Sequence, residues 1–276
     1  MKLFKTSSGV ILQKENDNYL LNDDWNELIN QDNLFEFLSI QTKNKIDVDF
    51  NETKILAPIS KQEVWAAGVT YLRSRDARME ESKDAGGADF YSKVYNAERP
   101  ELFFKALPYR VAAHNEEVFI RKDSKWNVPE PELTLFINSN GKIAGYTIGN
   151  DMSSRDIEGE NPLYLPQAKV YERSVAIGPC LYVCENEISL DTSISINIKR
   201  ENNKVFEGSI QLNRMKRKLK ELAEYLFREM EFEYGCFLMT GTGIVPPNDF
   251  TLNEGDEVEI SIDGIGVLRN VVAYKK

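Results

Sequence analysis

Three carboxylates, Glu130, Glu132 and Asp151, stand within one stretch of the chain, VPEPELTLFINSNGKIAGYTIGNDMSSRDIEGENPLYLPQAK, residues 128–169. Residues 133–137 and 142–148 are rich in β-branched and aromatic side chains and flank Asn138-Ser139-Asn140-Gly141. An Asn-Gly pair between two such runs predicts an antiparallel hairpin. If Asn140-Gly141 forms a two-residue turn, Ser139 faces Lys142 and Glu130 lies directly opposite Asp151, with Glu132 on the face of Glu130. A four-residue turn moves the pairing by two positions, keeps that face and leaves Asp151 near Glu130. Like charges opposite one another destabilise a sheet, and carboxylates sharing a site raise each other's pKa unless positive charge sits among them. A hard divalent cation with oxygen ligands resolves that conflict. The alternative is that the strand ends splay and all three acids face water, as most Asp and Glu do.

The remaining composition bounds what such a site can serve. A chain of 276 residues lies between one large and two small domains and can bury a substantial core. With 42% apolar and 28% charged residues it reads as a globular enzyme or binding protein, and its formal charge of -10 argues against nucleic acid or an anionic membrane as partner. Cys180, Cys184 and Cys236 show no zinc-type spacing and are odd in number, so reduced thiols in a cytoplasmic protein are expected. The opening MKLFKTSSGVILQKEND carries no signal-peptide core, and no run approaches membrane-spanning length, so neither secretion nor membrane insertion is expected.

The elements that must position the acids are mostly strands. Residues 1–60 alternate strand-like runs at 2–5, 10–13 and 19–21 with an amphipathic segment at 25–38, which predicts a small N-terminal α+β cap before a larger catalytic part at 61–276. A buried strand is predicted at 64–69. The highly charged residues 72–101 read as a solvated helical face, and Gly86-Gly87 permits a lid over residues 76–89. After the hairpin, strands are predicted at 175–184, 188–199, 257–262 and 267–274. The clearest helix falls at 213–230, where Met215, Leu219, Leu222, Leu226 and Phe227 share one face as core. The only histidine, His114, belongs to a loop and reads as incidental.

Taken in order, several motifs resemble the fumarylacetoacetate hydrolase superfamily: Glu130-x-Glu132, Gly145-Tyr146-Thr147, Asn150-Asp151-x-Ser153-x-Arg155-Asp156, Lys169, Ile177-Gly178-Pro179, Thr240-Gly241-Thr242, Gly255-Asp256 and Gly264-Ile265-Gly266. The resemblance covers residue 64 onward. It implies a strand-rich α+β fold with a β-roll catalytic domain, homo-oligomeric assembly, and Mg²⁺, or else Mn²⁺ or Ca²⁺, held by Glu130, Glu132 and Asp151. Glu63-Val64-Trp65, Arg99-Pro100-Glu101, Phe104-Lys105-Ala106, Pro129-Glu130-Pro131-Glu132-Leu133 and residues 160–167 (ENPLYLPQ) are more specific, and resemble the superfamily's dehydratases of 2-keto-3-deoxy sugar acids. Hydrolytic members carry a Gly-x-Asn-Tyr-x-x-His pattern whose His helps to activate water. Here Thr70 and Ser74 occupy the Asn and His places, so the hydrolase dyad is missing.

The activity implied is metal-dependent dehydration of a 2-keto-3-deoxypentonate, such as the D-arabinonate derivative, to 2,5-dioxopentanoate through an enolate. A C–C hydrolase of acylpyruvate type, or a keto-acid decarboxylase or tautomerase, would use the same enolate chemistry. Lys169 is the first candidate for proton transfer, with pairing to a ligand carboxylate as its other reading. Glu101 is the second, since a base is needed once histidine is absent, and Glu158 stands where hydrolases tend to have Gln. Thr242 and the amides around Gly241 and Gly243 resemble the family's cradle for a substrate carboxylate. Arg155 and Asp156 are expected to form a buried ion pair behind the ligands, with Arg155 also within reach of substrate.

Overall fold

The computed structural model describes every residue except 42, 51–53 and 82–87, so Gly86-Gly87 and part of the segment expected as a lid lie outside the described residues. The first residues form β1 (Lys2–Thr6), β2 (Gly9–Lys14), β3 (Asp17–Leu21), the short helices α1 (Trp25–Ile29) and α2 (Leu34–Ser39), and β4 (Lys45–Ile46). Then come β5 (Glu63–Gly68), α3 (Leu72–Glu81), α4 (Ala88–Asn96), β6 (Glu101–Ala106), β7 (Val111–Ala112), β8 (Glu117–Ile120) and β9 (Asn127–Val128). The acid-bearing hairpin is β10 (Pro131–Ile137) and β11 (Ile143–Asp151), followed by β12 (Ser153–Ser154), α5 (Arg155–Glu160), α6 (Leu165–Lys169) and β13 (Val175–Tyr182). The chain closes with β14 (Ser193–Arg200), β15 (Asn203–Gln211), α7 (Leu219–Leu226), β16 (Cys236–Met239), β17 (Glu257–Ile262) and β18 (Gly266–Tyr274).

Two mixed sheets face each other across one core. The larger runs β4-β3-β2-β1-β13-β11-β10-β16-β5-β6, with β7 also on β13, and the smaller runs β15-β14-β17-β18-β8. Leu133, Leu135 and Ile148 of the hairpin meet Ile196, Ile260 and Leu268 between the sheets. On the other face of the large sheet, Phe136, Ile177 and Met239 pack with Leu28 and Leu38 of α1 and α2. Both faces of β10 and β13 are buried, so β13 is apolar along its length and β10 is interrupted only by Glu132 and Thr134. Since β1 pairs with β13, residues on both sides of position 60 share the large sheet.

The hairpin has the register that its sequence predicts, reached by a different turn. Asn138 N donates to Lys142 O (2.9 Å), and Gly141 N donates to Asn138 O (2.9 Å) with Gly141 at φ 76°, so the loop is one residue longer than a two-residue turn. A compensating irregularity between Phe136 and Ile137 absorbs the slip. Pro131 therefore still pairs with Asn150, and Glu130 and Asp151 exchange backbone hydrogen bonds of 3.2 and 3.0 Å.

Two helical expectations are corrected. Residues 25–38 form two helices because Asn30, Gln31 and Asp32 are drawn off to grip the hairpin tip: Asn30 Oδ1 accepts from Ser139 N, Gln31 O from Asn138 Nδ2, and Asp32 Oδ1 from the amides of Asn138 and Asn140. The helix expected over 213–230 shrinks to α7. Ahead of it, Lys216 N donates to Thr70 O (2.9 Å) and the Arg217 guanidinium donates to the carbonyls of Ala97 and Glu98 (2.6 and 2.8 Å), which holds this segment as an extended strap.

Candidate metal centre and active site

Carboxylate oxygens of Glu130, Glu132 and Asp151 lie within 4.8 Å of one another, all buried. The hairpin register sets Glu130 against Asp151. Gly149 stands opposite Glu132, where an added Cβ would come within 2.3 Å of Thr134 Oγ1 and 2.7 Å of Met239 Cε. Lys169, at the end of α6, donates to Glu130 Oε2 (2.7 Å) and Asp151 Oδ2 (2.9 Å). Arg155, at the start of α5, donates to Glu130 Oε1 (2.9 Å), and Gly241 N donates to Glu132 Oε2 (2.6 Å). Lys105 of β6 pairs with Asp151 Oδ1 at 2.6 Å and donates to Met152 O (3.1 Å) and to Lys169 O. Arg78 of α3 pairs with Glu158 and lies 3.7 Å from Glu130 Oε1.

These neighbours divide the acids. Burial opposes ionisation of Glu130, but Lys169, Arg155 and Arg78 together outweigh it and hold the carboxyl at about 2. Glu132 is pushed well above the usual carboxylate range, first by burial and then by the charges of Asp151 and Glu130. Burial also raises Glu101, against the pull of Arg78 and Lys169, and lowers the ammonium of Lys105, against Asp151.

The structure brings Lys169, Arg155, Gly241, Thr242, Gly68, Ser74 and Arg78 around the triad in one small cavity. Glu101, paired with Gly68 across β5 and β6, lies over that glycine; its Oε2 is buried and has no hydrogen-bond partner among the described residues. Several expectations change. Arg155 pairs with Glu130 and Glu158, not with Asp156, which instead accepts from Ser124, Ser154, Lys125 N and Ile157 N. Glu158 is turned away from the cavity, towards Arg78, Arg155 and Ser153. Gly241 and Thr242 line the cavity; the Gly241 amide donates to Glu132, and the Thr242 hydroxyl closes a local turn with Ile244. His114 accepts from Arg269 N on the small sheet and does not line the cavity. Thr70 and Ser74 donate to Thr240 O and Tyr71 O.

Two neighbours of the triad were not singled out in the sequence. Lys105 was detectable as a cation inside the apolar run LFFKAL, since a charge in a buried strand needs a partner. Arg78 was hidden among the alternating charges of 72–101.

The donor set fits a divalent ion. Taken as ionised, Glu101, Glu130, Glu132, Asp151 and Glu158 outnumber Arg78, Lys105, Arg155 and Lys169 by one charge. A divalent cation together with a monoanionic keto acid would neutralise the cluster, and the crowding that raises Glu132 is what such an ion relieves.

A buried carboxylate triad at the end of a hairpin, on a mixed sheet faced by a second sheet, defines an oxygen-ligand metal site on a β-roll. This chain belongs to the fumarylacetoacetate hydrolase family, whose model described as fumarylacetoacetate (FAA) hydrolase C-terminal matches residues 64–273. It is 46% identical over 230 residues to 2-dehydro-3-deoxy-D-arabinonate dehydratase of Saccharolobus solfataricus, covering 82% of this chain and 76% of that protein. It is 45% identical over 228 residues to a probable 2-keto-3-deoxyxylonate dehydratase of Haloferax volcanii, covering 82% and 78%. The solved structure of 2-keto-3-deoxy-D-arabinonate dehydratase complexed with magnesium and 2,5-dioxopentanoate superposes with a TM-score of 0.86 at 36% identity, over 100% of both chains.

Proposed function

We propose that this protein is a Mg²⁺-dependent hydro-lyase that converts a 2-keto-3-deoxy-D-pentonate to 2,5-dioxopentanoate. Its two similar dehydratases carry different sugar names. With C2 a ketone and C3 a methylene, however, only C4 remains stereogenic, so in the D series the arabinonate and xylonate derivatives are one compound. The observation that carries the reading is the fate of the hydrolase positions. Thr70 and Ser74 tie their hydroxyls to backbone carbonyls, and the imidazole of His114 sits elsewhere, so the hydrolases' water-activating pair has no counterpart at these positions.

Glu130, Glu132 and Asp151 would hold the ion, which when bound supplies a Lewis acid that stabilises negative charge on the 2-keto oxygen. Glu101 takes a proton from C3, a role suited to a buried carboxylate with a raised pKa. Lys169 delivers a proton to the departing C4 hydroxyl, water leaves, and a C3–C4 double bond remains. The Lys169 amine then takes a proton from C5, and Glu101 returns its proton to C3. The resulting C4–C5 enol moves its hydroxyl proton to C4 and becomes the aldehyde. Every proton is thereby accounted for. The cavity beside the triad is small, about 10 Å³, and Arg78 of α3 is among the residues that line it. The same reading places the enzyme in the cytoplasm as a homo-oligomer, with its three thiols unpaired.

Incubation of the purified protein with Mg²⁺ and 2-keto-3-deoxy-D-pentonate should release one equivalent of semialdehyde, detected by aldehyde-specific derivatisation. Cleavage of acylpyruvates with no turnover of any 2-keto-3-deoxypentonate would reverse the assignment.

A further inference from the structure

The triad is furnished in a way that bears on which ion it takes. Among the described residues four of its six carboxylate oxygens accept a hydrogen bond, both of Glu130 (Arg155, Lys169), Oδ2 of Asp151 (Lys169) and one of Glu132 (Gly241 N), and a fifth, Asp151 Oδ1, forms an ion pair with Lys105 at 2.6 Å. A carboxylate whose second oxygen is engaged cannot readily present both oxygens to one ion. Ca²⁺ gathers six to eight oxygens and favours bidentate carboxylates, whereas Mg²⁺ takes a strict octahedron of single oxygens and retains waters. A cluster of three acids with both oxygens free would favour the larger ion, which sheds its water more easily.

Lys105 is the donor whose purpose is narrowest. Lys169 bridges two ligands and Arg155 also serves Glu158, but Lys105 reaches a single ligand, Asp151, at Oδ1. Its remaining contacts, to Met152 O and Lys169 O, fix the ammonium from two sides, and the residue is wholly buried on β6. With Lys169 on Oδ2, Lys105 on Oδ1 leaves neither oxygen of Asp151 free of a cation; Lys169 can stay on Glu130 when Asp151 turns, whereas Lys105 pairs with Asp151 alone among the described residues. We infer that Lys105 is a selectivity-determining residue: by occupying Asp151 it denies a bidentate grip and sets the site's preference for an ion of Mg²⁺ size over Ca²⁺. The inference rests on the triad being the metal site.

Titration calorimetry of the wild-type protein with Mg²⁺ alone and with Ca²⁺ alone gives the first reading: Mg²⁺ is expected to bind at least as tightly as Ca²⁺. In Lys105→Met, which keeps the length of the side chain and removes the donor, the ratio of the two dissociation constants should move at least tenfold towards Ca²⁺. In Lys105→Arg, which restores a donor, the ratio should return towards that of the wild type. Simple loss of positive charge would tighten both ions alike, and general loosening would weaken both alike, so an unchanged ratio overturns the role of Lys105 while leaving the metal site standing. Tighter Ca²⁺ than Mg²⁺ binding in the wild type overturns it without any variant having to fold. Binding of neither ion removes the metal site as well.

Discussion

Glu101 and Gly68 form one functional unit, because the carboxylate proposed to work at C3 rests where a side chain at position 68 would be. A Cβ at Gly68 would fall 2.1 Å from Glu101 Oε2, the far end of a flexible chain that can move aside. Gly68→Ala is therefore expected to fold while losing about 10- to 100-fold in kcat, since displacing a catalytic group by about 1 Å can cost that much. Glu101→Gln should lose about 10²- to 10⁴-fold with an unchanged circular dichroism spectrum; near-normal turnover in both variants would remove Glu101 from the mechanism. The pH profile gives a separate check. Burial favours the protonated Glu101, so its stabilising contribution is present at low pH and is lost as pH rises towards its raised pKa. Activity needs the ionised form and moves the opposite way, falling as pH drops through that same value. The acid limb should be flattened in Glu101→Gln. The convergence of Glu130, Glu132 and Asp151 was legible in the sequence because hairpin spacing sets it, and Lys169 was named beside them from an ordered motif. Lys105 was legible as a cation in an apolar run but its partner was not, and Arg78 was hidden among alternating charges, since a cation's partner across a fold leaves no local spacing to read.

At the scale of elements, the hairpin shows what a sequence does and does not specify. Burial of both faces fixes its register so firmly that an unanticipated loop residue is cancelled within the strand, and Glu130 still meets Asp151. The two helical errors share one cause: apolar periodicity marks a face that will be buried, but hydrogen bonds from distant segments decide where a helix stops. Asn30, Gln31 and Asp32 leave the helix to hold the hairpin tip, and Arg217 keeps the strap before α7 extended. The grip of Asp32 is testable. Bonds from Asn140, Lys142 and Asn138 depress its carboxyl from 3.8 to about 2, so its stabilising contribution is present above the unfolded value and disappears as pH falls to the folded one. Asp32→Ala should lower Tm by roughly 2 °C at pH 7, and the gap from wild type should narrow as pH falls from 4 towards 2. The site lies at the far end of the hairpin, so kcat should be unchanged. A loss of turnover comparable to that of Glu101→Gln would mean that the tip, and not only the register, positions the acids.

For the molecule as a whole, the triad should be a source of instability until its ion arrives. Three buried acids converge where two sheet strands end, and Glu132 has the least cationic support: among the described residues its donor is the amide of Gly241, while Lys169 and its neighbours serve Glu130 and Asp151. A ligand that binds only the folded state stabilises it by about 2.7 kcal/mol at a concentration of 100 Kd, which is roughly 5 °C in Tm for a chain of this length. Chelation with EDTA should remove that increment, and Mg²⁺ should restore it. Glu132→Gln keeps the shape and the acceptor for Gly241 N but removes the charge that Glu130 and Asp151 repel. Without metal the variant should therefore melt at or above the temperature of the metal-free wild type, yet gain nothing from Mg²⁺ and show no turnover. This opposition is expected wherever a fold carries strain that only its cofactor relieves. Should metal-free Glu132→Gln melt clearly below metal-free wild type, the carboxylate would be contributing stability without an ion, and the crowding of the three acids would not be what the site is built to exploit.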